Sequence, residues 1–350
     1  MIDTLKLLIP IEDMSLLEKL QGNLTRFRKE DLKKGLTIFE FHSSNLELGS
    51  YQRSVMLRSS QNPAGLFVEC SFAKYDKGNN VEMIYPHNLL AIGERLYAEL
   101  CAYLQYELPV ISTWVIYRLD VCYNWLLDSE DEALYAMDFI QRIDYPRKKK
   151  LLWDTSVMYQ GTAYNVKFYM KGAEFMAHDF KEIKELDDNR SYFLQQWAKR
   201  ILRYEVGLRR KYLSEFFGLK NVYLADVAHD EVILEVLNHF LKKVFFYINT
   251  KTMDTAEVRQ LLRLNFSKTK ALRLFQFYKA FYMNDPEMKA MYLGGGANRS
   301  TIYRYKKDLQ RVGVGFSTGD GKGILEKLII PSETTKFELV EMDASDTMSP

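Results

Sequence analysis

The sequence predicts an α+β fold for the first part of the chain and an all-α fold for the second. Up to about residue 209, segments in which apolar and polar residues alternate are interspersed with segments of helical period. Beyond about residue 210 the alternation stops and helical periodicity continues. The chain has 350 residues, 47% of them hydrophobic, which is enough for about two domains. We therefore predict a mainly antiparallel sheet with helices on one face, followed by a helical domain.

The strand candidates are rich in β-branched and aromatic residues, which suit a pleated and partly buried surface. They are residues 3–9, 36–42, 51–58, 66–73, 113–123, 155–160, 163–171 and 201–209. Helical period is clear in residues 88–106 and 129–143, where Ser129 can cap the second helix and Glu132 can complete a capping box. The apolar faces of these helices are expected to cover the sheet.

The second part of the chain predicts a helix-turn-helix or winged-helix domain. Its helices are predicted at residues 230–247, 254–263, 268–283 and 298–311, and they are followed by a wing at 315–323 and a strand at 325–330. The last ten residues are small and acidic and end in proline, which indicates a disordered tail. The predicted domains are therefore residues 1–225, residues 226–340 and a tail at 341–350.

Composition excludes several classes of protein. Lys and Arg number 48 and Asp and Glu 46, so net charge gives no nucleic-acid signal and a basic surface has to come from local clustering. Cys70, Cys101 and Cys122 lie in apolar runs without CxxC spacing, which argues against disulfides and zinc and for a reducing compartment. No signal peptide or run of about 20 apolar residues is present, so we expect no membrane partner and a cytoplasmic location.

Four predicted strands carry charged or hydroxyl side chains opposite an apolar face. In 113–123, Tyr117 is predicted on the apolar face with Leu119 and Val121. The opposite, polar faces of the four strands hold Glu69; Arg118 and Asp120; Asn165, Lys167, Tyr169 and Lys171; and Arg203, Glu205 and Arg209. If these strands are neighbours, one face of the sheet is a basic surface with three carboxylates and a tyrosine.

Such a surface has the groups that phosphodiester chemistry needs. Glu69, Asp120 and Glu205 can supply oxygen ligands to Mg²⁺ or Mn²⁺. Tyr169 is a candidate nucleophile, because lysines beside it, Lys167 and Lys171, would favour the phenolate.

The arginines of these strands, Arg118, Arg203 and Arg209, are assigned to binding phosphates, and the first two could instead hold the carboxylates in place. His42 shares a predicted face with Glu40 and is a candidate ligand or acid, with a surface pair as the alternative. Cross-strand ion pairs on a solvated face are the alternative for the whole set.

The helix predicted at 298–311 is rich in basic residues, as DNA recognition helices usually are. Tyr303 and Tyr305 are interleaved with its cationic residues, and Asp308 is its one acidic residue. The cationic residues assigned to DNA are Arg299, Arg304, Lys306, Lys307 and Arg311. A solvated basic helix without a partner is the alternative.

Several segments resemble one known family. They are MIDTLKLLIP, FEFHS, VECSFAK, the helix after PHNLL, YRLDVCYN, FYMKGAE and RYEVGLRRKYLSEFFGL, which together cover most of residues 1–225. In these segments the chain resembles the gene II and gene X replication initiators of filamentous phages and related plasmid proteins. The resemblance implies a nicking domain and an origin-specific, metal-dependent endonuclease with strand-joining activity, which starts rolling-circle replication.

The resemblance also implies roles for single residues. Tyr169 falls on the nucleophile of the YxKxxE motif, with Lys171 and Glu174, and is expected to form a 5′-phosphotyrosine and leave a 3′ hydroxyl. Asp120, Glu205 and Glu69 fall on acidic positions of the family, whereas related nickases usually bind their cation through paired histidines, which this chain lacks. Tyr212, in the RKYL block, is a candidate second nucleophile.

The implied partners are a replication origin, as single- and double-stranded DNA, and a host helicase and polymerase in the bacterial cytoplasm. Two other functions stay open from the residues. One is a non-catalytic origin-binding protein or transcriptional repressor, in which Tyr169 is dispensable. The other is a mobilisation relaxase, which has the same chemistry.

Overall fold

A computed structural model describes most of the chain. Its described ranges are residues 1–31, 36–48, 55–145, 147–245 and 255–281, with the backbone alone at 28–31, 36–41 and 281. Further along the chain it describes residues 287, 301, 304, 305, 308, 309, 311, 312, 314 and 326–331.

Ten strands in the described ranges form one sheet, and the strand pairs with a described register are antiparallel. The strands are β1 (Ile2–Pro10), β2 (Thr25–Asp31), β3 (Leu36–Leu46), β4 (Val55–Gln61), β5 (Ala64–Ser71), β6 (Val115–Leu126), β7 (Lys149–Trp153), β8 (Ser156–Gln160), β9 (Tyr164–Met170) and β10 (Ile201–Arg209). Their order across the sheet is β2-β3-β4-β5-β1-β6-β10-β9-β8-β7. The strands predicted to share a polar face, β5, β6, β9 and β10, therefore lie close together, with β1 between β5 and β6.

Twelve α-helices accompany the sheet in the described ranges. They are α1 (Met14–Gln21), α2 (Phe72–Lys77), α3 (Leu89–Leu104), α4 (Glu130–Arg142), α5 (Lys171–His178), α6 (Phe180–Leu186), α7 (Asp188–Lys199), α8 (Arg210–Phe217), α9 (Leu224–Val227), α10 (Asp230–Phe245), α11 (Thr255–Asn265) and α12 (Lys268–Phe281). None of the described helices is long and apolar enough to cross a membrane.

One face of the sheet is apolar and forms the core. Its strand residues, among them Leu5, Val68, Leu119, Val166 and Val206, are fully buried, as the alternation predicts. Helix α10 contributes to this side, because the hydroxyl of buried Tyr204 donates a hydrogen bond to the backbone oxygen of Leu237 at 3.1 Å. The α+β prediction is confirmed, and Tyr204 has a structural role in the core.

The predicted elements are confirmed with a few corrections. Strands β2 and β7 were not predicted, because their sequences TRFRKED and KKLLW are dominated by charge or are very short. Helices α1, α2 and α5 to α9 were also not predicted, and Lys171 begins α5 instead of ending β9. The strand predicted at 325–330 is wrong, because Glu326 and Lys327 are helical. The wing predicted at 315–323 lies outside the described residues.

Helix α4 begins as its sequence predicts. The Ser129 hydroxyl accepts the backbone N–H of Glu132 at 3.2 Å, and the Glu132 carboxylate accepts the backbone N–H of Asp128 at 2.8 Å. Both bonds satisfy donors near the start of a helix that have no partner within it. The capping serine is therefore confirmed, and the glutamate reaches one residue further back than a standard capping box.

A β-bulge corrects the predicted face of Tyr117. The pairing of β1 with β6 shifts between Lys6 and Leu7, and Tyr117 is the extra residue. Its ring packs edge-on against Phe67, with ring centroids 4.9 Å apart, and its hydroxyl accepts a hydrogen bond from Arg210. Tyr117 is therefore not on the apolar face with Leu119.

The chain divides into two compact units, one of residues 1–137, 151–238 and 330–350 and the other of residues 138–150 and 239–329. The second unit has its own apolar core, in which the rings of Phe277 and Tyr305 meet edge-on at 5.5 Å. Tyr305, which the sequence interleaves with cationic residues, is buried in this core. The core also contains Val258, Leu262, Ala271, Leu274, Tyr278, Leu309 and Val314.

Candidate active site

The polar face of the sheet brings a tyrosine, two carboxylates and an arginine together. Tyr169 on β9 lies opposite Arg203 on β10, and Lys167 lies opposite Glu205. Asp120 on β6 lies opposite Gly207, one alternate position from Glu205. Because residues two apart on a strand share a face, these side chains are neighbours on one surface, as predicted. We refer to this surface as the polar face.

Tyr169 is held in place by one contact at its hydroxyl and one over its ring. Its hydroxyl donates to Oε2 of Glu205 at 3.3 Å, and the Lys167 ammonium lies 4.0 Å from the ring centroid. The residue is only 5% exposed, and burial raises the pKa of Tyr169 well above its usual value. The Arg203 guanidinium opposes this rise in pKa and the Glu205 carboxylate adds to it. Burial therefore works against the predicted phenolate, and its stabilisation by adjacent lysines stays a prediction.

Arg203 belongs to the polar face but is enclosed, and it is 1% exposed. Its Nε donates to Oδ1 of Asn124 at 2.7 Å, and its Nη2 donates to the backbone oxygens of Asn80 and Val81. Its Nη1 forms an ion pair with Asp3 at 3.8 Å. A side chain this deeply enclosed cannot bind a DNA phosphate, so that predicted role of Arg203 is wrong.

Lys171 is also fully buried, at the first turn of α5. Its ammonium donates to Oδ1 of Asn80 and to the carboxylate of Glu174. Burial and the nearby Arg203 charge lower the pKa of Lys171 to about 8. Burial opposes the ionisation of Glu174, but Lys171 outweighs it and lowers the pKa of Glu174 to about 2. The predicted place of Lys171 on the open polar face is therefore wrong. Its ammonium is enclosed and contacts Asn80 and Glu174.

Asp120 and Glu205 are carboxylates whose pKa values are both raised. Burial and then the Glu205 charge raise the pKa of Asp120 to about 7, and burial and then the Asp3 charge raise the pKa of Glu205. The space between them depends on Gly207, whose backbone N–H donates to Oδ1 of Asn165 at 2.9 Å. A Cβ at residue 207 would lie 2.3 Å from that oxygen and 2.9 Å from Oδ1 of Asp120.

Arg118 bonds to two of the predicted metal-binding carboxylates, Asp120 and Glu69. Its Nε donates to Oδ1 of Asp120 at 2.9 Å, its Nη2 also contacts Asp120, and its Nη1 donates to Oε1 of Glu69 at 3.1 Å. Glu69 and Glu205 are three strands apart, about 14 Å at the usual strand spacing. In the described ranges no three acidic, His or Cys side chains are placed to hold one metal ion. Glu69 is therefore not part of one centre with Asp120 and Glu205.

Asp3 is a residue of the site that sequence reasoning missed. It belongs to a bulge in β1, between Ile2 and Thr4, that brings its carboxylate to Arg203. Strict alternation would place Asp3 on the same face as Leu5, in the core. A bulge leaves no sign in a single sequence, although an aspartate at the start of an apolar strand is an indication that alternation fails there.

His42 and Tyr212 lie away from Tyr169. His42 is on β3, six strands from β9, or about 29 Å. The Tyr212 ring packs on Tyr164, with centroids 4.8 Å apart, and Tyr164 is five residues, or about 17 Å, from Tyr169 along β9. Tyr164 also shares the alternate positions of the core residue Val166. Neither predicted residue is therefore placed to act at Tyr169, and the Glu40 side chain beside His42 lies outside the described residues.

The predicted phosphate-binding residues elsewhere are described in part. Arg209 is exposed at the end of β10, and Lys167 is half-buried beside Tyr169. Arg304 and Arg311 are exposed in the second unit. Arg299, Lys306 and Lys307 lie outside the described residues.

The pair of Lys171 and Glu174 predicts a pH-dependent contribution to stability. Because the pKa of Glu174 falls from 4.5 to about 2 on folding, its stabilisation is full above pH 4.5 and is lost as pH falls towards 2. Glu174→Gln should lower the free energy of unfolding by about 3 kcal/mol at pH 7. Urea unfolding at pH 7, 4 and 2.5 should show this difference shrinking with acidity. Glu182→Gln, an exposed change on α6, is the control, and a pH-independent loss in Glu174→Gln would contradict the pairing.

Comparison with known proteins places the chain in a family. The family model for the N-terminal part of the replication-associated gene II protein matches residues 1–231. A search of curated proteins found no match. The matched residues include the whole of the polar face, from β1 to β10, and the family initiates rolling-circle replication, which implies DNA binding. The chain therefore belongs to the family of the gene II replication initiators of filamentous phages.

Proposed function

We propose that this chain nicks one DNA strand at a replication origin through Tyr169 and later rejoins the displaced strand. The observation that carries the proposal is the hydrogen bond of the Tyr169 hydroxyl to Glu205, 3.3 Å long, on a face that also holds Asp120. A nucleophile in contact with a carboxylate whose pKa is raised can lose its proton as it attacks. The tyrosine also occupies the nucleophile position of the motif that resembles the family.

The proposed reaction proceeds by exchange of one ester for another. The Tyr169 oxygen attacks the phosphorus, the bond from phosphorus to the 3′ oxygen breaks, and the phenolic proton passes to Glu205. The departing 3′ oxygen takes a proton from solvent, which leaves a 3′ hydroxyl and a 5′-phosphotyrosine. In the reverse direction a 3′ hydroxyl attacks the phosphotyrosine, rejoins the strand and returns the proton to Tyr169. The free 3′ hydroxyl is a primer for a host polymerase, with a host helicase opening the duplex ahead of it.

A divalent cation, Mg²⁺ or Mn²⁺, fits the carboxylates of Asp120 and Glu205. Burial is the largest cause of the raised pKa of each carboxylate, and the Glu205 charge adds to the rise at Asp120. Mg²⁺ usually takes one or two protein carboxylates and keeps waters and substrate phosphate as its other ligands. Two carboxylates thus suffice, and a third protein ligand is not needed. When bound, the cation would neutralise charge on the phosphate oxygens.

The covalent step is tested at Tyr169. Full-length protein with Mn²⁺ and single-stranded origin DNA should give a DNA-linked peptide that contains Tyr169, and Tyr169→Phe should give none. Denaturing electrophoresis and peptide mapping measure the adduct. The rate should fall at acidic pH, where Glu205 is protonated and cannot accept the phenolic proton, because the pKa of Glu205 is raised above its usual value. Tyr212→Phe is the control and should retain the adduct. An adduct on another residue would refute the assignment.

The metal ligands are tested by matched acidic substitutions. Asp120→Asn should weaken Mn²⁺ binding at least tenfold and slow nicking by two or more orders of magnitude. Glu69→Gln should change both by less than threefold, because Glu69 is bound to Arg118 and lies about 14 Å from Glu205. Electron paramagnetic resonance of Mn²⁺ measures binding independently of nicking. Equal losses in the two variants would show that Glu69 belongs to the metal site.

The second unit is proposed to bind duplex DNA through the helix around residue 305. Tyr305 and Leu309 face the apolar core, whereas Arg304 and Arg311 are exposed. A helix with one buried and one cationic face can enter a major groove, as in a helix-turn-helix. A protein with only this activity would be an origin-binding regulator, and it would bind duplex DNA without forming an adduct.

Loss of each exposed arginine should lower the salt dependence of duplex binding. Arg304→Ala and Arg311→Ala should each reduce the slope of log affinity against log salt by about 1. Fluorescence anisotropy with labelled duplex between 50 and 300 mM salt, roughly the range where such slopes are resolved, measures it. Arg95→Ala, which removes an exposed cation paired with Asp76 on the first unit, is the control. Unchanged slopes in both arginine variants would exclude this helix.

A further inference from the structure

Two large apolar side chains at consecutive positions are exposed at the edge of the sheet. Leu152 is 56% and Trp153 49% exposed, and both belong to β7, the last strand in the sheet order. The other three tryptophans, Trp114, Trp125 and Trp197, are buried. Tryptophan is enriched at binding interfaces, so an exposed indole marks a candidate contact surface.

Trp153 lies near the end of the strand that carries the candidate nucleophile. The backbone oxygen of Thr155, two residues on, accepts the N–H of Met170 at 2.9 Å, and Ser156 is the strand partner of Tyr169. Three residues span at most about 10 Å of chain, so Trp153 is within one or two nucleotides of the phosphate that would meet Tyr169. The exposed indole is therefore within reach of the proposed DNA site.

We propose that Trp153 stacks on an unpaired base of the single strand that Tyr169 attacks. The inference rests on the proposed nicking function, because that function brings a single strand to Tyr169. An indole ring gives a broad aromatic face, and stacking of a base on an aromatic side chain stabilises binding by about 1–3 kcal/mol whatever the base. Lys167, above the Tyr169 ring and half-buried, supplies a positive charge for the neighbouring phosphate.

The choice of a base over a protein partner follows from position and shape. The indole offers one flat face, which is the size of one nucleobase. It lies close to the strand end that holds the nucleophile. Consecutive residues of a strand point to opposite faces, so Leu152 does not extend the same surface into a broad apolar patch. Stacking at Trp153 would hold the scissile phosphate in register with Tyr169 without reading a sequence.

The test uses full-length Tyr169→Phe, which binds DNA without nicking, and single-stranded oligo(dT). DNA should quench tryptophan fluorescence, because Trp153 is the one strongly exposed tryptophan of the four in the described chain. Adding Trp153→Ala should weaken binding of fluorescein-labelled oligo(dT) between roughly fivefold and 150-fold, as 1–3 kcal/mol requires. Trp153→Phe should restore most of the affinity. Leu152→Ala, an equally exposed change on the opposite face, is the matched control and should change the affinity less than threefold.

Three outcomes would overturn the proposal. They are unchanged affinity in Trp153→Ala, equal losses in Leu152→Ala and Trp153→Ala, and quenching by self-association seen in sedimentation without DNA. The nicking proposal is judged separately, by the Tyr169 adduct formed by Trp153→Ala at saturating DNA. An adduct together with unchanged affinity would reject stacking and keep nicking, and no adduct in wild-type protein would reject nicking itself.

Discussion

The buried guanidinium of Arg203 is the interaction on which the polar face depends. A full positive charge enclosed in a protein needs acceptors and opposite charge around it, because an unpaired buried charge is very unfavourable. Arg203 donates hydrogen bonds to Asn124 on β6 and to the backbone of Asn80 and Val81, and it forms an ion pair with Asp3 on β1. One side chain thus joins two strands to the segment before α3, and the positions of Asp3 and Asn80 follow from it.

The charges around Arg203 form a balanced set. The buried Lys171 pairs with Glu174 and also contacts Asn80. The partly exposed Arg118 pairs with Asp120. Lys167 is the strand partner of Glu205 and carries a positive charge, and the Tyr169 hydroxyl donates a hydrogen bond to Glu205. Burial and then the Asp3 charge raise the pKa of Glu205, against the opposing charges of the nearby basic side chains. The proton acceptor of the proposed reaction follows from this charge arrangement.

Alternation along single strands was sufficient to predict which residues share the polar face. Tyr169, Lys167, Glu205 and Asp120 were all placed there from sequence, because the pleat of a strand fixes side-chain direction. Distances across the sheet could not be predicted, because they depend on strand order. That order separates Glu69 and His42 from Tyr169, although each has a suitable residue type.

Burial was the second property that the sequence could not supply. Lys171 and Arg203 have side chains that are normally exposed, and their enclosure comes from α5 and the segment at 79–81, whose packing no local pattern encodes. The bulges at Asp3 and Tyr117 break the alternation in the same way, by inserting one residue that changes the face. Local pattern therefore identified the residues, and tertiary contacts decided their roles.

The raised pKa of Tyr169 gives the site a condition for activity. Burial and Glu205 keep the phenol protonated, so the isolated chain holds a weak nucleophile in contact with its acceptor. Arg203 already lowers the pKa of Tyr169, whereas Glu205 raises it. A cation bound near Asp120 and Glu205 would cancel part of the effect of Glu205, so the pKa of Tyr169 would fall. Under the proposed function, the nucleophile becomes reactive when the site is complete, and strands elsewhere in the cell are protected from adventitious cleavage. If the proposed function holds, this coupling would confine attack by the buried tyrosine to a completed site.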